Sequence, residues 1–508
     1  MSQVEPSVAT EEQVVSGFGY RQELRRTLKL FSLFSVAFSI ISITTGIFLN
    51  YQTSFGTLGS VMIWTWPIAG AGQLIVAVIL AELANRIPLA GANYQWGARL
   101  VNPTYGWFVG ALGVMYGAVG LPGIMYLAAA PFTQYVLNMT HAGPRTTLFI
   151  ALVIMTVAYL VNIISVQMAA RVNNVAVFTE ILGTVAIALV LFFLWVADYK
   201  PSHHGFAYLG HHFHQAGHPY WYAIILASLI GVYTIVGFES AADMSEEALD
   251  ARRSVPKAII GSVVISAVLG MVALIGFTLA IPSDKVMNEG GLPGVFQYWL
   301  GSDLARSFVG VVVFSMFALT VVGAAANARL LFAMGRDNIA PGSSLLRRVQ
   351  PQTQTPIPAL IVSYLLCIGV MLYGYNASGS TFFTLVGATA LVPFIIYLLT
   401  VIAYGLQRRN IEHMPGAFHL GRWAKPVFGV ALVWLVAVVL ELSLPQPFHS
   451  ADYYVLGGLA LAAVWWLVGL RGRLRRGTAR IGHIPEESEA TPPDQPAQES
   501  PAMPGPVS

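Results

Sequence analysis

Apolar residues in this chain come in long, nearly unbroken runs, not at alternate positions or in narrow helical stripes. About 20 such residues are what an α-helix needs to cross the hydrocarbon of a bilayer. Twelve runs qualify, at roughly 31–52, 60–84, 105–138, 146–166, 174–197, 220–243, 256–281, 304–334, 357–375, 379–405, 425–444 and 453–470. The third and eighth are longer than the bilayer requires and predict tilted helices. Lipid offers no partner for an exposed N–H or C=O, so spans of this kind must be helical. The predicted fold class is therefore all-α and integral to a membrane, with twelve transmembrane helices.

Composition agrees. Of 508 residues, 56% are hydrophobic and 10% charged, against about 25% charged in soluble domains. The net charge of +3 is small, and no basic cluster interleaved with aromatics points to nucleic acid as a partner. The single cysteine, Cys367, excludes an intrachain disulfide and a cysteine-built metal site. Residues 1–30 are polar, carry Glu5, Glu11 and Glu12, and do not read as a secretory signal.

Charge sets the expected orientation. With the N-terminus inside, 23 of the 27 Lys and Arg fall on the inner side, leaving only Arg145, Lys200, Lys285 and Arg306 outside. One missed span would invert every later loop, so the excess predicts both termini in the cytoplasm and a cell-membrane location. The expected organisation is a cytoplasmic segment over 1–30, unstructured at least to 16, then a ten-helix core over 31–405. Helices 11 and 12 occupy 406–470. A tail over 471–508, rich in Pro, Glu and Ser, is expected to be disordered.

Two spans carry glycine and hydroxyl residues where plain hydrophobes would be cheaper. The first centres on Ser42, Ile43, Thr44, Thr45 and Gly46, the sixth on Gly231, Thr234, Gly237, Glu239 and Ser240. First and sixth are equivalent places in two five-helix halves, and paired discontinuous helices of this kind mark transporter binding sites. A break bares N–H groups that favour a carboxylate and carbonyls that favour an ammonium. An amino acid carries both charges. The alternative is that Gly, Ser and Thr only let neighbouring helices approach closely.

Local patterns carry a family resemblance. VGFESAADMSEEALDARRSVPKAI (236–259), ELANRIPLAGANYQWGARL (82–100) and NARLLFAMGRDNIAP (327–341) are similar to the amino acid–polyamine–organocation superfamily of permeases. They resemble in particular its amino acid/choline branch, with its GABA and choline permeases. The resemblance covers about 18–470 and implies a five-plus-five inverted-repeat (LeuT-like) core with discontinuous helices 1 and 6, and alternating access around a central site. It implies substrate contacts at Ser42, Ile43, Thr44, Thr45 and Gly46 of the first break, at the covering aromatic Tyr233, and at Gly237 and Phe238 of the sixth. Where several relatives place a lysine in the fifth helix, this chain has Glu180. A glutamate there leaves open proton coupling, binding of a cation such as Na+, or a purely structural hydrogen bond.

Ionisable groups at membrane depth are functional candidates. Glu180 and Glu239 are candidates for coupling or gating, Glu239 also as a local partner for freed N–H groups, while Glu441 reads as interfacial. Glu82, Arg86, Glu246, Glu247, Arg329, Arg336 and Asp337 lie at inner helix ends and read as an inner gate of unassigned pairs, or as topology determinants. Tyr116, Tyr233 and Phe238 are able to box a quaternary ammonium. The outer loop holding His203, His204, His211, His212, His214 and His218 has no zinc-site spacing and reads as flexible and polar. Asn138–Thr140 and Asn376–Ser378 are glycosylation sequons, meaningful only in a eukaryotic host. No Walker loop, His-Glu-x-x-His or Gly-x-Ser-x-Gly occurs, so neither a catalytic residue nor a cofactor is expected. The expectation is a secondary transporter of a small or GABA-like amino acid, coupled to an ion gradient with the proton favoured. An amine permease, an exchanger and, from other classes, a membrane enzyme or channel are the alternatives. The expected partners are a small solute and the bilayer.

Overall fold

Each apolar run folds as a helix because all its backbone hydrogen bonds close within the segment. A computed structural model describes residues 11–139, 141–200, 205–213, 219–377, 379–412, 414, 418–445, 449–479 and 481. Among the described residues, eleven helices are long and apolar enough to cross a membrane. In chain order they are α1 (Leu30–Leu58), α2 (Ser60–Arg86), α3 (Pro103–Val136), α4 (Pro144–Ile164) and α5 (Val166–Val196), then α7 (Ala251–Leu279), α8 (Ser302–Arg336), α9 (Ile357–Asn376), α10 (Gly387–Ile411 within the helix Gly379–Glu412), α11 (Gly421–Ser443) and α12 (Ala451–Arg475). The remaining expected span, α6, falls short of that length because it is broken into α6a (Tyr220–Val232) and α6b (Ser240–Asp243). The twelve expected runs are therefore all present, and among the described residues there are no strands, only two isolated bridges.

Polarity separates the helices into inner and lipid-facing sets. The central windows of α1, α2, α8 and α10 are 72%, 67%, 61% and 67% buried within the protein, whereas those of α11 and α12 are 22% and 17% buried. Helices that bury most of their surface in protein can carry polar residues. Ser35, Ser39, Ser42, Thr44 and Thr45 of α1 and Gln73 and Glu82 of α2 are all buried. Close approach is set by glycine at a few points. A Cβ on Gly46 would sit 2.1 Å from Thr234 Oγ1 of α6, and one on Gly237 would sit 2.0 Å from Ile40 Cγ2 of α1. The two broken helices thus cross at each other's glycines.

Three local expectations differ from what is observed. Residues 11–17 form a helix, where an unstructured segment was expected. Val14, Val15 and Phe18 supply an apolar trio that packs into the protein, with Arg99 5.5 Å over the Phe18 ring. The loop between α5 and α6a, expected to be flexible, makes specific contacts over its described part. Phe206–Gly210 is a 3-10 turn, Ser60 donates to the Tyr208 carbonyl, Val61 N–H donates to the His211 carbonyl at 3.0 Å, and His211 stacks on Tyr208. His203, His204, His214 and His218 lie outside the described residues, as do Thr140 and Ser378 of the sequons and the tail beyond 481. Glu441 is not merely interfacial. It accepts a hydrogen bond from Ser228 and so ties α11 to α6a.

Candidate substrate-binding cavity

The first break is a single residue. Ser42 adopts φ 39°, ψ 81°, separating α1a (Leu30–Ile41) from α1b (Ile43–Leu58). A left-handed, non-glycine residue within a span is strained, and it persists because its surroundings hold it. The holder is Glu180 of α5. One carboxylate oxygen accepts from Thr44 N–H at 3.1 Å, from Thr44 Oγ1 at 2.8 Å and from Ser42 Oγ at 3.3 Å. A carboxylate thus sits at the positive N-terminus of α1b, where the helix dipole and bare N–H favour it. The Ser42 and Thr45 hydroxyls bond each other at 2.6 Å. Five of the expected substrate contacts, Ser42, Ile43, Thr44, Thr45 and Gly46, are buried here and do not line the cavity described below, because Glu180 and Thr234 occupy the space around them.

The second break is stitched by α10. Gly237 has φ +83°, a conformation open to glycine, and its N–H donates to Tyr397 Oη at 2.8 Å. Tyr397 in turn donates to Glu239. Gln73 of α2 donates to the Ile235 carbonyl at 2.7 Å. Backbone groups released by the break therefore find side-chain partners, as they must where water is scarce. Phe238 turns away from the cavity and stacks on Tyr397 with ring centroids 5.2 Å apart.

Between the breaks lies a cavity of about 120 Å³. Its walls come from α1 (Ile40), α3 (Tyr116, Gly117 and neighbours), α6 (Tyr233, Gly237, Glu239, Ser240, Asp243), α8 (Asn327 and neighbours), α10 (Thr389, Ile396) and the α2–α3 connection (Asn93, Tyr94). Of the expected site residues, Tyr233, Gly237 and Glu239 line it, with Tyr116. Asp243, Asn93, Asn327 and Thr389 also line it and were not singled out in the sequence. Asp243 lay in view within the same SAADMSEE string, but nothing about its spacing distinguished it from a helix-end carboxylate.

Dense contacts join the helices away from the cavity wall. Phe48, Phe132, Phe296 and Phe308 meet edge-on or tilted, with centroids 5.1–6.2 Å apart. The arginine-rich end carries the pairs that the sequence left unassigned. Arg336 donates twice to Glu246, at 2.9 and 2.8 Å, and Glu246 also accepts from Ala90 N–H at 3.0 Å. Burial would push the Glu246 carboxyl up, but the Arg336 guanidinium and these hydrogen bonds outweigh it and hold the group below its ordinary range. Arg329 Nε lies 2.7 Å from Glu247 Oε1. Asp337 accepts from Tyr20 at 2.5 Å, from Gln95 at 3.1 Å and from Tyr94. Glu82 and Arg86 are 3.9 Å apart, with Tyr404 donating to Glu82 at 2.7 Å. The N-terminal segment joins this end, since Arg336 lies 3.7 Å over the Tyr20 ring.

A central cavity flanked by two interrupted, mutually packed helices is the arrangement of a solute carrier. The family follows from comparison with known proteins. The sequence model of the Amino acid permease family matches residues 28–468, and the chain belongs to that family, a family of transporters and not of enzymes. Among similar proteins are the Arabidopsis thaliana protein named Amino-acid permease BAT1, 27% identical over 89% of this chain and 93% of that protein, and the Saccharomyces cerevisiae GABA-specific permease, 24% identical over 91% of this chain and 83% of that protein.

Proposed function

We propose that this protein moves a small or GABA-like amino acid across the cell membrane by alternating access, with its arginine-rich face in the cytoplasm, and that Glu180 couples transport to a proton gradient. The observation that carries the coupling is the grip of the Glu180 carboxylate on Thr44 N–H, Thr44 Oγ1 and Ser42 Oγ. An ionised carboxylate is a strong acceptor for these donors, and a protonated one is weaker. Taking up a proton on Glu180 therefore loosens the N-terminus of α1b and frees an amide that a substrate carboxylate can use. Proton and amino acid then favour the same state, which is the thermodynamic requirement for symport. Site contacts in this reading are the α1b amides for the carboxylate, and Glu239 with the Tyr116 and Tyr233 rings for the ammonium.

The test is uptake of labelled L-alanine and GABA into proteoliposomes with an imposed inward proton gradient. Wild-type protein is expected to accumulate label above equilibrium. Glu180→Gln keeps an acceptor near Thr44 but not the titration, and is expected to equilibrate label without accumulating it. Unchanged gradient-driven accumulation in Glu180→Gln removes Glu180 from coupling.

A further inference from the structure

We infer that Asp243 is a specificity-determining residue that gives the cavity a cation subsite on its α6b side, so that the preferred solute is an amino acid with a second positive charge on its side chain. This rests on the amino acid part of the reading above and replaces its small-solute part with a longer side chain that carries a distal ammonium.

Among the described residues, the cavity wall holds two carboxylates, Glu239 and Asp243, and no Lys, Arg or His. They are four residues apart on α6, about 6 Å along a helix axis. Their situations differ. Glu239 is occupied, accepting from Tyr397 and from the Asn93 side chain. Asp243 makes no hydrogen bond or ion pair among the described residues, and the charges that reach it are those of Glu239 and Arg329. Arg329 is committed elsewhere, with Nε on Glu247 at 2.7 Å and Nη1 on the Ala325 carbonyl at 3.2 Å. Asp243 sits partly exposed in the cavity wall, and a carboxylate there without a protein partner is free to pair with a cationic ligand.

An independent observation points to the same ligand. Asn327 of α8 lines the cavity, is only 4% exposed, and spends its Nδ2 on Ser363 Oγ at 2.9 Å. Its Oδ1 is buried without a partner. Two residues of the cavity wall, on different helices, thus each carry an acceptor that no described protein group uses. An alkylammonium has three donors and no acceptor, which matches them. A neutral amino acid brings one ammonium, answered by Glu239, and leaves Asp243 unmet. Lysine or ornithine brings a second.

L-lysine and L-norleucine share a carbon skeleton and differ by the ε-ammonium, so the pair isolates this contact. The full-length protein in proteoliposomes is assayed for uptake of labelled L-alanine and L-lysine, and for inhibition of alanine uptake by unlabelled lysine and norleucine. For wild-type protein, lysine is expected to inhibit at a concentration about tenfold or more below norleucine, the discrimination that one charge-assisted contact provides. Asp243→Asn is expected to bring the two within about twofold of each other by weakening lysine, and Asp243→Glu to retain a preference for lysine. Norleucine inhibition in the variant reports that it is folded. Equal inhibition of wild-type protein by the two compounds, or an undiminished lysine preference in Asp243→Asn, overturns the subsite while leaving the amino acid reading standing. If neither alanine nor lysine is carried, the amino acid reading falls and the subsite with it.

Discussion

Neutralising Glu246 should open the arginine-rich end of the cavity. Glu246 connects the segment after α6b both to Arg336 at the end of α8 and to Ala90 between α2 and α3. The Glu246 side chain is fully buried and that of Arg336 is 9% exposed. Removing one partner of a buried pair costs about 3–5 kcal/mol, mostly by leaving the other charge unmatched. Glutamine preserves one acceptor, so about 3 kcal/mol is the appropriate end of that range for Glu246→Gln. At 1.4 kcal/mol per factor of ten, the closed–open equilibrium shifts by about 100-fold. A gate that is open about 1% of the time would then be open about half of the time, and a probe reading the open state would react about fiftyfold faster. Ser240 is suited to report this, being 4% exposed and in the cavity wall. Replacing the only cysteine, Cys367→Ser, and introducing Ser240→Cys gives a single reactive site, assayed with a membrane-impermeant maleimide on vesicles of each orientation. Acceleration is expected only from the arginine-rich side, with Arg336→Gln behaving alike. The sign of the pH effect follows from the carboxyl lying below its ordinary range. The pair's stabilisation is complete above the usual glutamate pKa of about 4.3 and is lost only as pH falls through the lower value in the folded protein, so labelling of the parent, divided by the rate of a free thiol at each pH to remove the thiolate dependence, should stay flat from about pH 5 to 8. A labelling rate within twofold of the parent in both orientations would refute a gating role for the pair.

Two further predictions concern the breaks. Gly46→Ala places a methyl carbon 2.1 Å from Thr234 Oγ1 and 2.3 Å from its Cγ2. Such overpacking costs about 1–3 kcal/mol and should lower the thermal-denaturation midpoint. Gly56→Ala on the same half-helix, whose added carbon meets only Asn288 Oδ1 at 3.9 Å, should leave that midpoint unchanged, and equal effects of the two would contradict the packing. Tyr397→Phe removes the acceptor of Gly237 N–H and a donor to Glu239, at a cost of about 1–3 kcal/mol for the groups left unmet. Faster hydrogen exchange at the Gly237 amide is the expected readout, and unaltered protection there would show that Tyr397 does not hold the break.

Span number, the all-helical class and the positions of both interruptions were legible in the sequence, because each is a property of a single segment. Lipid crossing depends on the length of an apolar run, and a break needs glycine, hydroxyls or a carboxylate within a few residues, as at Ser42–Gly46 and Thr234–Glu239. Family resemblance singled out Glu180, but its link to the first break came only from the structure, since 136 residues separate it from Thr44. What only the tertiary structure decided is which polar groups share a space. Packing gave the α1b amide at Thr44 to Glu180 and turned Phe238 onto Tyr397, while Asp243 and Asn327, with no common sequence pattern, were brought to one cavity from different helices. It also turned a set of helix-end charges into Arg336–Glu246 and Arg329–Glu247, and recruited Tyr20 from an N-terminal segment for which the sequence suggested no contact. Hydropathy is summed along a chain and can be read from it. Pairing depends on which helix faces come within about 3 Å of each other, and that is fixed only when α1, α6, α8 and α10 pack together.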